Sequence, residues 1–280
     1  MNNIFSKGLL IITLISSFLV FCIFFIIFYL CIDLFSLDEL KSFFSFTWSV
    51  QDNKYGILTF LFGSFIISFL ALILGFVFSF SICSIIFLTN SSLIKFFLEK
   101  TVLMMATIPT VIYAFSALFI FVPFISYFKP SSTLSIIVAS VVLSLLIIPT
   151  MSLIFLNIFN SLSKKYMKCC MNLSISKEEF FFKFVIKNSI TQLSQGVLLA
   201  TTRALGDTMI VLMLAGNALA FPTSIFDSTR SLTSHIALIF ANDFESMAFK
   251  AIFLCAFLLL SSNFILILII RKIKGKTYEV

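Results

Sequence analysis

"SFIISFLALILGFVFSFSICSIIFL", residues 64–88, contains no charged side chain. As an α-helix rising about 1.5 Å per residue it would reach roughly 37 Å, enough to cross a hydrocarbon layer of about 30 Å. Comparable apolar runs fall near 8–32, 102–126, 132–158, 194–220 and 247–270. The whole chain of 280 residues has the same character: 60% hydrophobic, 11% charged, 39 phenylalanines, mean hydropathy +1.16. A soluble domain carries about 25% charged residues. The expectation is an all-α integral membrane protein with six transmembrane helices.

The first run follows Lys7 and could be taken for a signal peptide. It is longer than an h-region of about 7–15 residues and lacks a small-residue cleavage site, so an uncleaved anchor is expected. Basic residues set the orientation. With the N-terminus inside, inner segments hold thirteen lysines and arginines against five in outer ones, and both termini are expected in the cytoplasm. The formal net charge of +7 is then an orientation signal and gives no reason to invoke nucleic acid. None of the six cysteines has zinc-site spacing, and the adjacent Cys169–Cys170 pair implies no disulfide framework. His235, the only histidine, falls in an expected loop, so no metal is assigned.

The longest inner segment, 159–193, mixes charged and apolar residues at helical spacing. Ser176 followed by Glu179 fits a capping box, so a helix is expected to restart at Lys177 after a turn at Ser174–Ser176. Two readings stand for this segment: an interfacial helix on anionic lipid, or a rigid handle gripped by a cytosolic partner.

"TRALGDTMIVLMLAGN", 202–217, places Arg203 and Asp207 in an apolar run. If this helix enters near Ser194, they lie about 14 and 20 Å deep. On insertion scales each would cost about 2.5–3.5 kcal/mol facing lipid, so both should face protein. Four residues apart, they share a helical face and can pair, with Thr208 beside them and Asn217 near the same stripe. The pair either fixes helix packing or lines a pathway for an anionic solute with Arg203 as attractor. Intramembrane ionisable groups mark solute routes, which favours the second.

"RALGDTMIVLMLAGN" resembles the signature of PstC-type permeases of bacterial phosphate ABC transporters, with Asp207 where that family has glutamate. "FTWSVQDNKYGILTFLFGSFIISFLALILG" (46–75) and "TIPTVIYAF" (107–115) are similar to further family motifs, and the resemblance spans about 46–270. It implies type I ABC importer architecture in the bacterial plasma (inner) membrane. An anchor and external loop (1–54) would precede a permease core (55–270) with a coupling loop at 159–193 and a basic cytoplasmic tail (271–280). It implies a second, PstA-like permease, a PstB-like ATPase dimer, a PstS-like external phosphate-binding protein and surrounding lipid as partners.

Pathway residues by this resemblance are Arg203, Asp207, Thr208 and Asn217, with Thr107 and Pro109 at a helix break. The ATPase-docking Glu-Ala-Ala positions fall, without gaps, on Lys168, Cys169 and Cys170, the usual glycine on Ser174 and the usual proline on Lys187. The register is kept and the chemistry is not. The "GKT" at 275–277 has Ile270 where a phosphate-binding loop needs glycine, so no nucleotide or other cofactor is expected on this chain. Alternatives are a permease for phosphonate, sulfate or molybdate, a secondary carrier with Asp207 as proton site, or a membrane scaffold.

Overall fold

The computed structural model describes residues 2–32, 42–128, 133–240 and 247–275. Lys41 and Lys129, together with Lys276 and Thr277 of the Gly-Lys-Thr run, lie outside the described residues. The chain is helical almost throughout. Helix α1 (Asn2–Cys31) leads to a small hairpin, β1 (Trp48–Ser49) against β2 (Lys54–Tyr55), which opens α2 (Leu58–Leu88). Then follow α3 (Ser92–Thr107), α4 (Thr110–Phe128) and α5 (Ile136–Asn172). A short α6 (Lys177–Glu179), a π-helical turn (Phe180–Val185) and α7 (Ile186–Gly206) run on as one rod. The chain ends with α8 (Met209–Leu214), α9 (Leu232–Phe240) and α10 (Met247–Gly275).

Among the described residues, five helical stretches are long and apolar enough to cross a membrane: Ser6–Cys31, Leu58–Leu88, Thr110–Tyr127, Ile136–Asn172 and Met247–Lys272. The expected continuous span at 194–220 is not formed, because α7 stops at Gly206 and only α8 follows. The expected span 102–126 is likewise divided, between the end of α3 and α4. The helix expected to begin the inner segment at 159 is the continuation of α5, which runs on to Asn172.

The centre of the bundle is the α2–α5 pair. Helix α2 offers α5 a face of small residues. A side chain at Gly75 would meet the Ile147 side chain at 2.9 Å, so the small residue lets Ile147 pack close to the α2 backbone. Along the same contact Ser79 Oγ donates to the Ile148 carbonyl (3.1 Å), Cys83 Sγ to Ser152 O (3.3 Å) and, from α5, Ser140 Oγ to Ile67 O (3.2 Å). In hydrocarbon these hydroxyls have no water to turn to, so cross-helix bonds hold the pair in register. Most of the spanning part of α5 is buried, whereas that of α1 is mostly exposed within the chain and touches α10 through Phe24 and Phe28 on Phe257. A second core at the hairpin end joins Phe43, Trp48, Ile57 and Phe60 to Leu232 and Cys255.

Candidate functional site: two broken helices and a half-buried arginine

The site starts with local backbone chemistry. Ile108 is extended (φ −73°, ψ 126°), as the residue before a proline prefers, so α3 stops at Thr107 and Pro109 precedes the start of α4. Thr107 Oγ1 turns back to Met104 O (2.8 Å), and Tyr113 Oη reaches across the break to Met105 O (2.8 Å). Thr107 and Pro109 are both exposed on this chain.

The second break has no proline. Gly206 ends α7 and Asp207 is extended (φ −74°, ψ 127°). Its carboxylate Oδ2 accepts the Ile210 N–H at 2.8 Å, serving one of the amides left open at the start of α8. Thr208 O accepts Leu212 N–H (2.9 Å), so Thr208 is a backbone member of the new helix.

Arg203, in the last turn of α7, is half-buried and donates through Nη1 to Thr150 Oγ1 of α5, next to Pro149 inside that helix. Its charge reaches both Tyr113 and Asp207. The expected Arg203–Asp207 ion pair is not made. The helix ends between the two residues and Asp207 turns to cap α8, so the four-residue spacing no longer places them on one helical face. An ion pair does form between Lys183 and Glu179 (2.8 Å), on the surface, where such a pair adds little.

Asn217 stands at the far end of α8. It adopts a left-handed conformation (φ 57°) after Gly216 (φ 83°), and its Nδ2 donates to Leu212 O (2.7 Å). Asn217 N bonds Thr229 O (3.1 Å) and Thr229 N bonds Ala215 O (2.9 Å). Arg230 Nε and Nη2 both donate to Asn217 O, at 3.2 and 3.0 Å. Thr233 Oγ1 donates to Asp207 O (3.1 Å), so the segment 229–233 straps both ends of α8.

His235 lies fully buried in α9, where a solvated loop position was expected. Its ring stacks on Phe60 (4.0 Å) and stands edge-on to Trp48 (4.3 Å), with Nδ1 facing Arg230 Nη1 at 3.4 Å. Burial first, and then the Arg230 charge, push its pKa down to about 3. No group of three or more metal-ligating side chains occurs among the described residues.

The structure thus brings Arg203, Asp207 and Tyr113 into one neighbourhood, with Thr150 beneath the arginine, and puts Asn217 at the other end of α8. Sequence reading missed Thr150, Tyr113 and Arg230. Thr150 follows a proline in an apolar helix, and Arg230 sits in the polar run "STRSLTSH"; both signals were available. In the inner segment, Ser174 takes a left-handed conformation (φ 57°) and Ile175 N returns to Cys170 O (3.1 Å), closing α5. Lys168, Cys169 and Ser174 are exposed and Cys170 is half-buried. Helix α6 restarts at Lys177 with Ser176 accepting Glu179 N–H (3.2 Å).

Apolar helices interrupted beside a half-buried cation, with an exposed turn at Met171–Ser174, suit a membrane permease. Residues 81–275 match the family model described as "Binding-protein-dependent transport system inner membrane component", and the chain belongs to that family. It is similar to the phosphate transport system permease protein PstC of Pasteurella multocida, 31% identical over 274 residues, covering 86% of this chain and 85% of the relative. It is also similar to the probable ABC transporter permease YqgH of Bacillus subtilis (30%; 83% and 76%) and to PstC of Xylella fastidiosa (26%; 84% and 78%). The chain is therefore an ABC transporter permease of the bacterial plasma membrane, a transport subunit whose ATP hydrolysis is carried out by separate ATPase subunits.

Proposed function

We propose that this chain is the PstC-like half of an importer for inorganic phosphate. The observation that carries this reading is Arg203, a half-buried guanidinium held by the neutral Thr150 hydroxyl and by no carboxylate. Such a group keeps donors and charge to offer an oxyanion in transit. The neighbouring breaks at Thr107–Pro109 and Asp207–Thr208 free backbone polar groups beside it, which membranes tolerate where a cavity is lined. Asn217 acts by shaping the turn that ends α8. The likeness to proteins named PstC supplies the choice of phosphate.

In this reading the broken helix α7–α8 counts as the sixth span and both termini face the cytoplasm, as the distribution of basic residues favours. Lys168, Cys169, Cys170 and Ser174, with exposed Met171 and Leu173 at the tip, dock into a PstB-like ATPase dimer. A PstA-like permease completes the pathway, and a PstS-like protein delivers phosphate outside. Lipid surrounds α1, and no cofactor, metal or nucleic acid is needed by this chain. The segments 1–54 and 271–280 serve as anchor with external loop and as basic tail.

Radiolabelled phosphate uptake into vesicles bearing the assembled complex, with sulfate, molybdate and phosphonates as competitors, tests the proposal. Saturable ATP-dependent uptake resisted by those competitors is expected. Uptake abolished by an equimolar competitor would reassign the substrate. Uptake driven by a proton gradient without ATP would overturn the mechanism.

A further inference from the structure

The inner end of α2 is closed by a side chain from far along the chain. Helix α2 leaves its last carbonyls without intrahelical donors, as any helix does. Lys177 Nζ lies 3.1 Å from Leu88 O, 3.3 Å from Thr89 O and 3.3 Å from Asn90 Oδ1. An ammonium has three donors, and here each has its own acceptor. A cation at this end also complements the helix dipole. Lys177 is the first residue of α6, three residues beyond the exposed turn Met171–Ser174.

Behind this staple lies a joint of phenylalanines. Phe181 packs on Phe87 of α2 (4.9 Å) and on Phe159 of α5 (5.2 Å), and Phe180 stacks on Phe184 (5.4 Å). Phe159 and Phe181 are completely buried. The rings on the α6 side all belong to the π-helical turn Phe180–Val185, a distortion that recurs at functional positions in helices. From α2 the connection continues through the Ser79, Cys83 and Ser140 bonds into α5, and α5 carries Thr150, the partner of Arg203.

We infer that Lys177 is a positioning residue for energy coupling: it passes displacement of the 171–174 turn into α2, and through the α2–α5 pair to the Thr150–Arg203 contact. This is a second route beside the covalent one along α7. It rests on the proposed docking of that turn to an ATPase.

The test is the number of phosphate ions imported per ATP hydrolysed by the complete complex in proteoliposomes. Lys177→Met should lower this ratio at least about fivefold, the scale of a typical coupling, while assembly and unstimulated ATP hydrolysis stay within about twofold. Lys177→Arg should retain most of the ratio, since a guanidinium can also cap carbonyls. A merely structural role would lower assembly and leave the ratio of the surviving complexes unchanged, which would overturn the inference.

If Lys177→Met fails to assemble, Asn90→Ala decides. It removes one acceptor of the three and should lower the ratio about twofold. A wild-type ratio in that variant also overturns the inference. Crosslinking from Ser174→Cys to the ATPase separates the two proposals. A crosslink with an unchanged Lys177→Met ratio leaves the docking reading standing and removes only the role of Lys177. No crosslink removes both.

Discussion

The breaks at Thr107–Thr110 and at Gly206–Met209 interrupt similar apolar sequence by different means. The first is made locally. Pro109 lacks an amide and forces Ile108 out of helical conformation, and little beyond Tyr113 and Thr107 holds the ends. The second is made from a distance. Nothing in "ALGDTM" forbids a helix as proline would, yet Thr233, Thr229 and Arg230 grip the backbone on both sides of α8. A break written into its own residues can be read from them. One imposed by a strap some twenty residues away cannot.

That contrast fixes how much of the molecule was legible. The membrane class followed from long uncharged runs, and the restart at Lys177 from the Ser176–Glu179 spacing, because capping is local chemistry. The Thr107–Pro109 interruption carries its proline in plain view, yet a continuous span 102–126 was expected there and the break entered only with the family resemblance. The Arg203–Asp207 pair was misjudged because helical spacing was carried through a point where the helix stops. His235 read as a loop residue because its burial depends on Trp48 and Phe60, neither of them near in sequence, and the bond from the loop residue Arg230 to Asn217 O left no local mark either. The Lys177 staple bridges residues 87–89 apart and left no local mark.

The largest expected effect tests the cation that stands in the last turn before the second break. Arg203→Ala should reduce phosphate uptake about a hundredfold or more with the complex still assembled, since an oxyanion would lose a guanidinium partner within the apolar zone. Uptake assays at matched permease levels check this. Normal uptake would reduce Arg203 to a packing residue on Thr150.

Next in size is the strap. At Gly216 (φ 83°) a side chain would meet Ser228 Oγ at 2.3 Å and Leu134 O at 2.9 Å. Gly216→Ala combines left-handed strain with overpacking and should cost about 3 kcal/mol. A thermal-unfolding or detergent-stability measurement would show it, and an unchanged midpoint would mean that the turn does not hold α8.

The local break should respond more mildly. Pro109→Ala restores an amide and frees Ile108, so α3 and α4 can join into a straighter helix. The expected result is a larger distance between spin labels at Lys100 and Phe119, with uptake reduced about fivefold by loss of the break. No change in that distance would show that the first break, like the second, is imposed from outside.

The smallest effect is expected at Asp207, where the two kinds of break can be told apart within one residue. Its carboxylate accepts the Ile210 amide, a task that asparagine performs about equally well at a helix start. Because Arg203 is bonded to Thr150 and not to Asp207, removing the acid charge does not strand a paired arginine. Asp207→Asn should therefore keep uptake within about threefold, and Asp207→Ala should lose about 1 kcal/mol of stability through the missing cap. The strap from Thr233 reaches the Asp207 backbone carbonyl, so it survives either change and keeps α8 in place. Uptake and unfolding measured on both variants decide the matter. Should Asn abolish transport as fully as Arg203→Ala does, the charge itself is required, and Arg203 and Asp207 work as a pair during the cycle even though they stand apart in this conformation.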